Sequence, residues 1–481
     1  MSDRLFDPDP PPPPLEALER NVARAQFNTL LAAWRSSDNL LHMFHPEAEA
    51  RPYTVTRLGP TLRLFTVNDA ALARQILSER SERYVKSHMY EAMLGDLLGP
   101  TASLIAEGDM ARFKRRLLAP AFNARSLKRL EAVVERHVAA TLERWAALGP
   151  GAEIDLTHEA PMLAMEVAMD AFFSTALGGE KAARLARLLD AVMMEAGSPS
   201  MADVMDLPRW VPRKSRRALR PKIAALDAAL YEVIDARLAA RGDGPPETPD
   251  MLDVLIHATD PETGAPLSRR EVRNEVVTLF MAGHETTALS LAWGLDRLAR
   301  EPAAQDALAE SAGAAEAAKG GPLSAAEARA TPLVAETYDE MLRLYPPAYV
   351  VARTAVAADA WEGVAIRPND RFQIAIFMLH RNARYWDDPG AFRPERFQSA
   401  AKPAAFMPFG AGPRTCIGMA MARMEGQMLL ARMAPRLRLE PVGPPPDPLG
   451  KITLRSRAHI RVRLAPREAP ARPARPEKAE A

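Results

Sequence analysis

Apolar residues recur at helical spacing from Leu15 onward, so most of the chain reads as α-helix, with a few short stretches of strand character. Tyr53 to Val67 alternates in two runs around Gly59-Pro60, which predicts a β-hairpin. Val85 to Ile105 is less periodic. A helix begins at Glu107, and helical patterns then run from Ser126 to Arg241, broken near Gly149-Pro150-Gly151 and at Ser198-Pro199. Gly242 to Pro249 reads as a flexible loop. Ser268 and Glu271 form a capping box for the longest predicted helix, which continues to about Leu298. Glu301 to Ala330 is alanine-rich and carries little pattern. Thr331-Pro332, with Thr as N-cap and Pro in the first turn, predicts a helix that ends at Tyr345 before Pro346-Pro347. Ala348–Thr354 and Arg371–Phe377 read as strands, and Ile417, Met421, Met424 and Met428 mark a last helix. The expectation is a mainly α chain with small β-sheets, one domain over 15–465, a proline-stiffened lead over 1–14 and a loose Pro- and Ala-rich tail over 466–481.

Composition narrows the partners. Among 481 residues, 62 basic and 61 acidic side chains leave a net charge of +1, which argues against a nucleic-acid binder and for small molecules. The opening Met1-Ser-Asp-Arg-Leu-Phe-Asp-Pro-Asp-Pro10 has no basic segment followed by an apolar run, so no membrane anchor is expected. The single cysteine agrees with a reducing cytoplasm.

That cysteine, Cys416, lies in Phe406-Met-Pro-Phe-Gly-Ala-Gly-Pro-Arg-Thr-Cys-Ile-Gly418. A lone cysteine is most often a small buried hydrophobe. Here Gly410, Gly412 and Gly418 leave room for a flat, bulky group against the backbone, and the helix that follows places Cys416 at a helix N-terminus, which favours thiolate. Such a thiolate suits an iron ligand, with Arg414 placed to meet a cofactor carboxylate. In the longest helix, Ala282-Gly-His-Glu-Thr-Thr287 contains a mid-helix glycine that costs ~1 kcal/mol relative to alanine. Ala282, Gly283 and Thr286 make one face small enough to pass over a flat cofactor and a diatomic ligand. Glu285 follows an apolar run and needs a partner if buried; a structural acid paired elsewhere is the alternative reading. Glu340 and Arg343, three apart on a helix, would contribute about 0.2–0.5 kcal/mol as an exposed pair. Arg112, Lys114, Arg115 and Arg116 form a basic run whose plain reading is a solvated face.

Together these segments resemble the cytochrome P450 family. Phe409-x-x-Gly412-x-Arg414-x-Cys416-x-Gly418 is similar to its haem-binding loop with every fixed position filled, and Ala282-Gly283-x-Glu285-Thr286 is similar to its oxygen-binding helix. Glu340-x-x-Arg343 and Phe392-Arg-Pro-Glu-Arg396-Phe397 match two further signatures. The resemblance implies a mainly α, single large haem-thiolate fold with small sheets, haem b held by Cys416 as axial ligand, and O2 as co-substrate. It gives Arg353 and Arg115 to the haem propionates, with Ala111 where a second propionate contact would stand. It assigns proton delivery to Glu285 and Thr286 and a structural network to Glu340, Arg343 and Arg396. The remaining cations near Arg115 would help dock an acidic electron donor. Ala348 to Val351 would border the substrate pocket, and Val85 to Ile105 would fold over it.

The expected activity is a monooxygenase that inserts one atom of O2 into a small hydrophobic organic substrate by hydroxylation or epoxidation. The 65 residues after Cys416 point to a separate ferredoxin or flavodoxin and its reductase as electron source. A haem-thiolate gas sensor, a peroxide-using haem enzyme and a cysteine hydrolase are the competing classes; the last needs a His oriented towards Cys416, and nothing in the sequence singles out His284, His380 or His459 for it. The Glu285/Thr286 pair favours oxygen activation over the first two.

Overall fold

The computed structural model describes residues 39–467 apart from 45–50, 59–61, 174–178, 197–213, 241–243, 245, 248, 261–262, 362–363 and 400. The predicted lead over 1–14, the break at Ser198-Pro199 and the tail beyond residue 467 lie outside the described residues. Pro466, predicted to open the tail, instead ends a strand, Arg461–Pro466, paired with Leu437–Val442.

The hairpin forms as its alternation predicts: β1 (Tyr53–Leu58) pairs antiparallel with β2 (Leu62–Val67), Leu58 opposite Leu62. Three more strands, β3 (Tyr84–Lys86), β4 (Val351–Ala355) and β5 (Arg371–Ile374), complete a five-stranded sheet in the order β1-β2-β5-β4-β3. Only β2 and β5 run parallel. The sheet's inner face is aromatic, with Phe65 stacked on Phe372 at 4.9 Å and Tyr84 edge-on to Phe372 at 5.3 Å. The second predicted strand is shorter than its pattern, because residues Ile376–Leu379 turn into a helical segment.

Six helices carry the rest of the argument: α1 (Gly108–Leu118), α2 (Ala124–Ala147), α3 (Leu156–Phe173), α4 (Arg269–Ala299), α5 (Val334–Leu344) and α6 (Met419–Met433). The capping box that predicts α4 is present in both directions: the Glu271 N–H donates to Ser268 Oγ at 3.3 Å and the Ser268 N–H to Glu271 Oε2 at 3.0 Å. At 31 residues α4 is the axle of the molecule, packed against α3, α5 and α6. Charges inside such a helix need partners. Arg273 donates to Asp227 at 2.7 Å, and Glu275 pairs with Lys114 of α1 at 3.3 Å. Lys114 is therefore fully buried, so it cannot belong to the solvated basic face predicted for residues 112–116. The start of α5 also differs from expectation. Thr331 closes the preceding short helix, donating from its hydroxyl to the Glu327 carbonyl at 2.8 Å. Leu333, at φ +66°, makes the turn into α5.

Candidate functional site: a cysteine loop braced by a buried network

The loop before α6 is fixed by its own backbone. The Cys416 N–H donates to the Phe409 carbonyl at 3.0 Å, and the Thr415 N–H to the Gly412 carbonyl at 3.0 Å. Gly410 and Gly412 both have φ near +70°, which an L side chain rarely adopts. A Cβ on Gly410 would meet nothing within 4 Å, but the room expected at Gly412 is already taken. A Cβ on Gly412 would stand 2.0 Å from the Leu77 carbonyl, so this glycine lets the loop pass another backbone. A Cβ on Gly418 would come 3.9 Å from the Cys416 sulfur, which leaves Gly418 as the glycine that faces the thiol.

Cys416 itself is exposed, while its neighbours Thr415 and Ile417 are only partly so. The helix-end argument for a thiolate meets an opposing force. Although the residue keeps accessible surface, its sulfur sits deep in the fold, and that desolvation pushes the thiol up, outweighing the Gly418 N–H and the nearby Arg115, which favour the anion.

Behind the loop lies the network of Glu340, Arg343 and Arg396. Glu340 and Arg343 are not the weak exposed pair that spacing alone suggests; both are fully buried and joined by two bonds of 2.6 and 2.7 Å. Arg396 donates to Glu340 at 3.1 Å, and Arg343 also donates to the carbonyls of His380, Pro389 and Ala391. Every polar atom of this pair is thus satisfied. The link from network to loop is His380, which the sequence reading considers only as a hydrolase partner. Its Nε2 accepts the Met407 N–H at 3.0 Å, so its Nδ1 carries the proton toward the Arg343 carbonyl at 3.1 Å. Burial and the Arg343 charge push His380 down to about 3, holding it neutral in that tautomer. His284 faces the Pro161 carbonyl and His459 faces Asp155 and Thr157, so none of the three histidines partners Cys416.

Along α4 the residues from Val272 to Met281 are buried, and then Ala282 and Gly283 are exposed before burial resumes at His284. A Cβ on Gly283 would touch nothing within 4 Å. This patch of small, open backbone in the middle of an otherwise covered helix is a cradle for a flat group. Beside it, Thr286 donates its hydroxyl to the Ala282 carbonyl at 2.7 Å, leaving its oxygen lone pairs as acceptors. Glu285 has the partners its burial demands: Thr453 donates at 2.8 Å and Arg455 at 2.8 Å through Nε, with a further contact from its terminal nitrogen.

A group of cations completes the site. Arg353 on β4 is buried and donates to the Ala352 carbonyl at 2.9 Å. Arg414 pairs with Glu107 at 2.9 Å and reaches the Ala106 carbonyl. Arg115 donates to the Thr415 carbonyl at 2.6 Å, directly beside Cys416. Phe409 stacks beneath Arg423 at 5.3 Å. These cations outnumber their carboxylates, Cys416 is exposed and α4 carries an open stretch at Ala282 and Gly283, so the residues fit a flat, iron-bearing dianion such as haem.

Close by, a cleft is lined by Phe44, Tyr90, Met93, Tyr349, Val350 and Ile452 among others. It joins the two segments expected to border substrate, since Tyr90 lies in the 85–105 stretch and its hydroxyl accepts the Ala352 N–H at 3.1 Å. Among the described residues no helix is long and apolar enough to cross a membrane.

Comparison with known proteins agrees with this geometry. The cytochrome P450 family model matches residues 27–460. The chain is 31% identical over 335 residues to a cyclooctatin synthase of Streptomyces melanosporofaciens, covering 69% of this chain and 71% of that protein. It is 28% identical to the cyclooctat-9-en-7-ol 5-monooxygenase of the same organism, covering 80% of this chain and 82% of the relative. The fold superposes on retinoic acid-bound cyanobacterial CYP120A1 with a TM-score of 0.74, at 23% identity, over 86% of this chain and 92% of that one. With the cysteine loop, the buried network behind it and the family match all in place, the chain belongs to the cytochrome P450 family and is a haem-dependent monooxygenase.

Proposed function

We propose that the enzyme inserts one atom of O2 into a small, largely apolar organic molecule, using electrons from a separate ferredoxin or flavodoxin and its reductase. The observation that carries this reading is the Cys416 loop, a lone accessible sulfur locked by the Phe409 carbonyl and flanked by arginines short of counter-charge. Haem bound there would be held by Cys416 and would supply the redox chemistry needed to split dioxygen.

The chain's own residues prepare the surroundings. Ala282 and Gly283 leave the open patch over which the oxygen-binding face would lie. The Thr286 hydroxyl, already committed as donor to the Ala282 carbonyl, accepts a hydrogen bond from water or passes its own proton on by releasing that carbonyl. Glu285 carries protons inward from solvent, and its tether to Arg455 and Thr453 sets the position from which it moves. Residues 15–465 act as one catalytic domain in the cytoplasm. The exposed guanidiniums of Arg112 and Arg116 form part of the face for an acidic electron donor.

Apolar lining in the cleft around Tyr90, Met93 and Ile452 supports a hydrocarbon-rich substrate. The relatives' names support the same class: one is a cyclooctat-9-en-7-ol 5-monooxygenase, and one structural neighbour is bound to retinoic acid. Replacing Cys416 by Ser abolishes the red-shifted Soret band of the reduced CO complex; persistence of that band excludes Cys416 as the iron ligand. A screen of apolar alcohols and acids for the low-spin to high-spin Soret change of the ferric protein then identifies the substrate.

A further inference from the structure

We propose that Lys451 sets the choice of substrate, its ammonium receiving the carboxylate of an apolar carboxylic acid held in the cleft around Tyr90, Met93 and Ile452. This deepens the proposed substrate reading and rests on it. Lys451 belongs to none of the motifs recognisable in the sequence.

The cleft encloses about 930 Å3, the size of sites that bury a whole organic ligand. Its wall is mostly apolar, and among the described residues no acid lines it, so its two charged side chains, Arg371 and Lys451, give it a positive sign. The other polar side chains of the wall are committed within the protein. Ser87 Oγ accepts the Met89 N–H at 3.3 Å, and the Tyr90 hydroxyl accepts the Ala352 N–H. Arg371 donates to His88 Nε2 at 2.6 Å, Gln373 to Thr66 Oγ1 at 2.5 Å and the Tyr349 hydroxyl to the Lys451 carbonyl at 2.6 Å. The Lys451 ammonium has no hydrogen-bond or ion-pair partner among the described residues.

The backbone that carries this ammonium is fixed. Lys451 lies in the turn between the antiparallel strands Pro448–Gly450 and Leu454–Ser456. The Gly450 N–H donates to Asn39 Oδ1 at 2.7 Å, the Lys451 N–H to the Thr453 carbonyl at 3.0 Å and the Leu454 N–H to the Pro347 carbonyl at 3.0 Å. A cation on such a turn loses only its own side-chain freedom when it meets an anion. A neutral apolar ligand filling the cleft would cover the ammonium without pairing it, which costs free energy. A carboxylate at one end of the ligand pairs it through charge-assisted hydrogen bonds and leaves the hydrocarbon part to the apolar wall.

The test is the affinity of the purified ferric holoprotein for dodecanoic acid and abietic acid, each compared with its methyl ester, by calorimetry and by the Soret spin-state change. Wild type binds at least one of the acids roughly tenfold or more tighter than its ester, the ester having lost the charge that pairs with the ammonium. Lys451→Met lowers the affinity for that acid to about that of the ester, Lys451→Arg keeps the preference, and Lys451→Glu reverses it. The Lys451 side chain makes no bond within the fold, so these variants melt as wild type does. Esters bound as tightly as acids by wild type would overturn the proposal, as would a preference for acids that survives in Lys451→Met. Calorimetry needs no haem signal. A colourless protein with the acid preference would therefore sink the haem reading and keep Lys451 as the anion contact, whereas a haem-loaded protein without that preference would sink the role of Lys451 alone.

Discussion

The two sides of the site are built on opposite principles. Behind Cys416, the Glu340–Arg343 pair has no solvent access, every polar atom has a partner, and His380 passes the network's rigidity to the Met407 N–H of the loop. On α4, Ala282 and Gly283 are open, Thr286 bonds only within its own helix turn, and Glu285 is tethered by the Thr453 and Arg455 side chains, which reach in from far along the chain. On the proposed reading, a sulfur that holds the cofactor must be held still whatever the state of the substrate, whereas a group that hands on protons must be able to let go. The first side is therefore over-determined and the second is held by few, partly accessible bonds.

That contrast is open to experiment by comparing stability with coupling. Glu340→Ala leaves the Arg343 guanidinium buried without its carboxylate and costs about 3–5 kcal/mol, a large share of a typical folding free energy. Thermal unfolding and the fraction of protein retaining haem both report it. His380→Ala leaves the Met407 N–H and Arg343 carbonyl unpaired and costs about 2–4 kcal/mol. This loss depends on pH. His380 is held far below its unfolded value near 6.5, down to about 3, so the unfolded chain takes up the proton first. The wild-type advantage over His380→Ala is complete above about pH 6.5 and shrinks as pH falls toward 3. A difference that stays constant across that window would remove His380 from the account.

Arg455→Met removes a tether from Glu285, whose side chain is 13% exposed, so solvent recovers part of the loss and the cost is about 1–2 kcal/mol. Its larger signature is a displaced pH profile of turnover with folding nearly intact. Thr286→Ala moves stability by about 0.5 kcal/mol or less, yet productive turnover falls by roughly tenfold or more as electrons leave as hydrogen peroxide. Peroxide yield per electron consumed measures it, and unchanged coupling would end the proton-delivery role of Thr286. Large stability effects confined to the sulfur side and large coupling effects confined to α4 would sharpen the comparison. The reverse pattern would break it.

Much of the fold was legible in the chain because it depends on near neighbours. The capping box at Ser268 and Glu271, the hairpin from Tyr53 to Val67 and the apolar stripe of α6 are encoded within a few residues of where they act. The cysteine loop and the spacing of Glu340 to Arg343 are equally local and visible in the chain, although the burial that makes that pair strong is not. Tertiary structure decided what each charge meets, since burial and pairing depend on segments that sequence order keeps apart. Only the assembled sheet sets Lys86 opposite Arg353, only the short strand Leu454–Ser456 brings Arg455 to Glu285 across 170 positions, and only packing against α4 turns Lys114 from a surface cation into a buried one. Local periodicity specifies which face of an element is apolar. It carries no information about the partner across the interface, and for charged groups that partner determines the role.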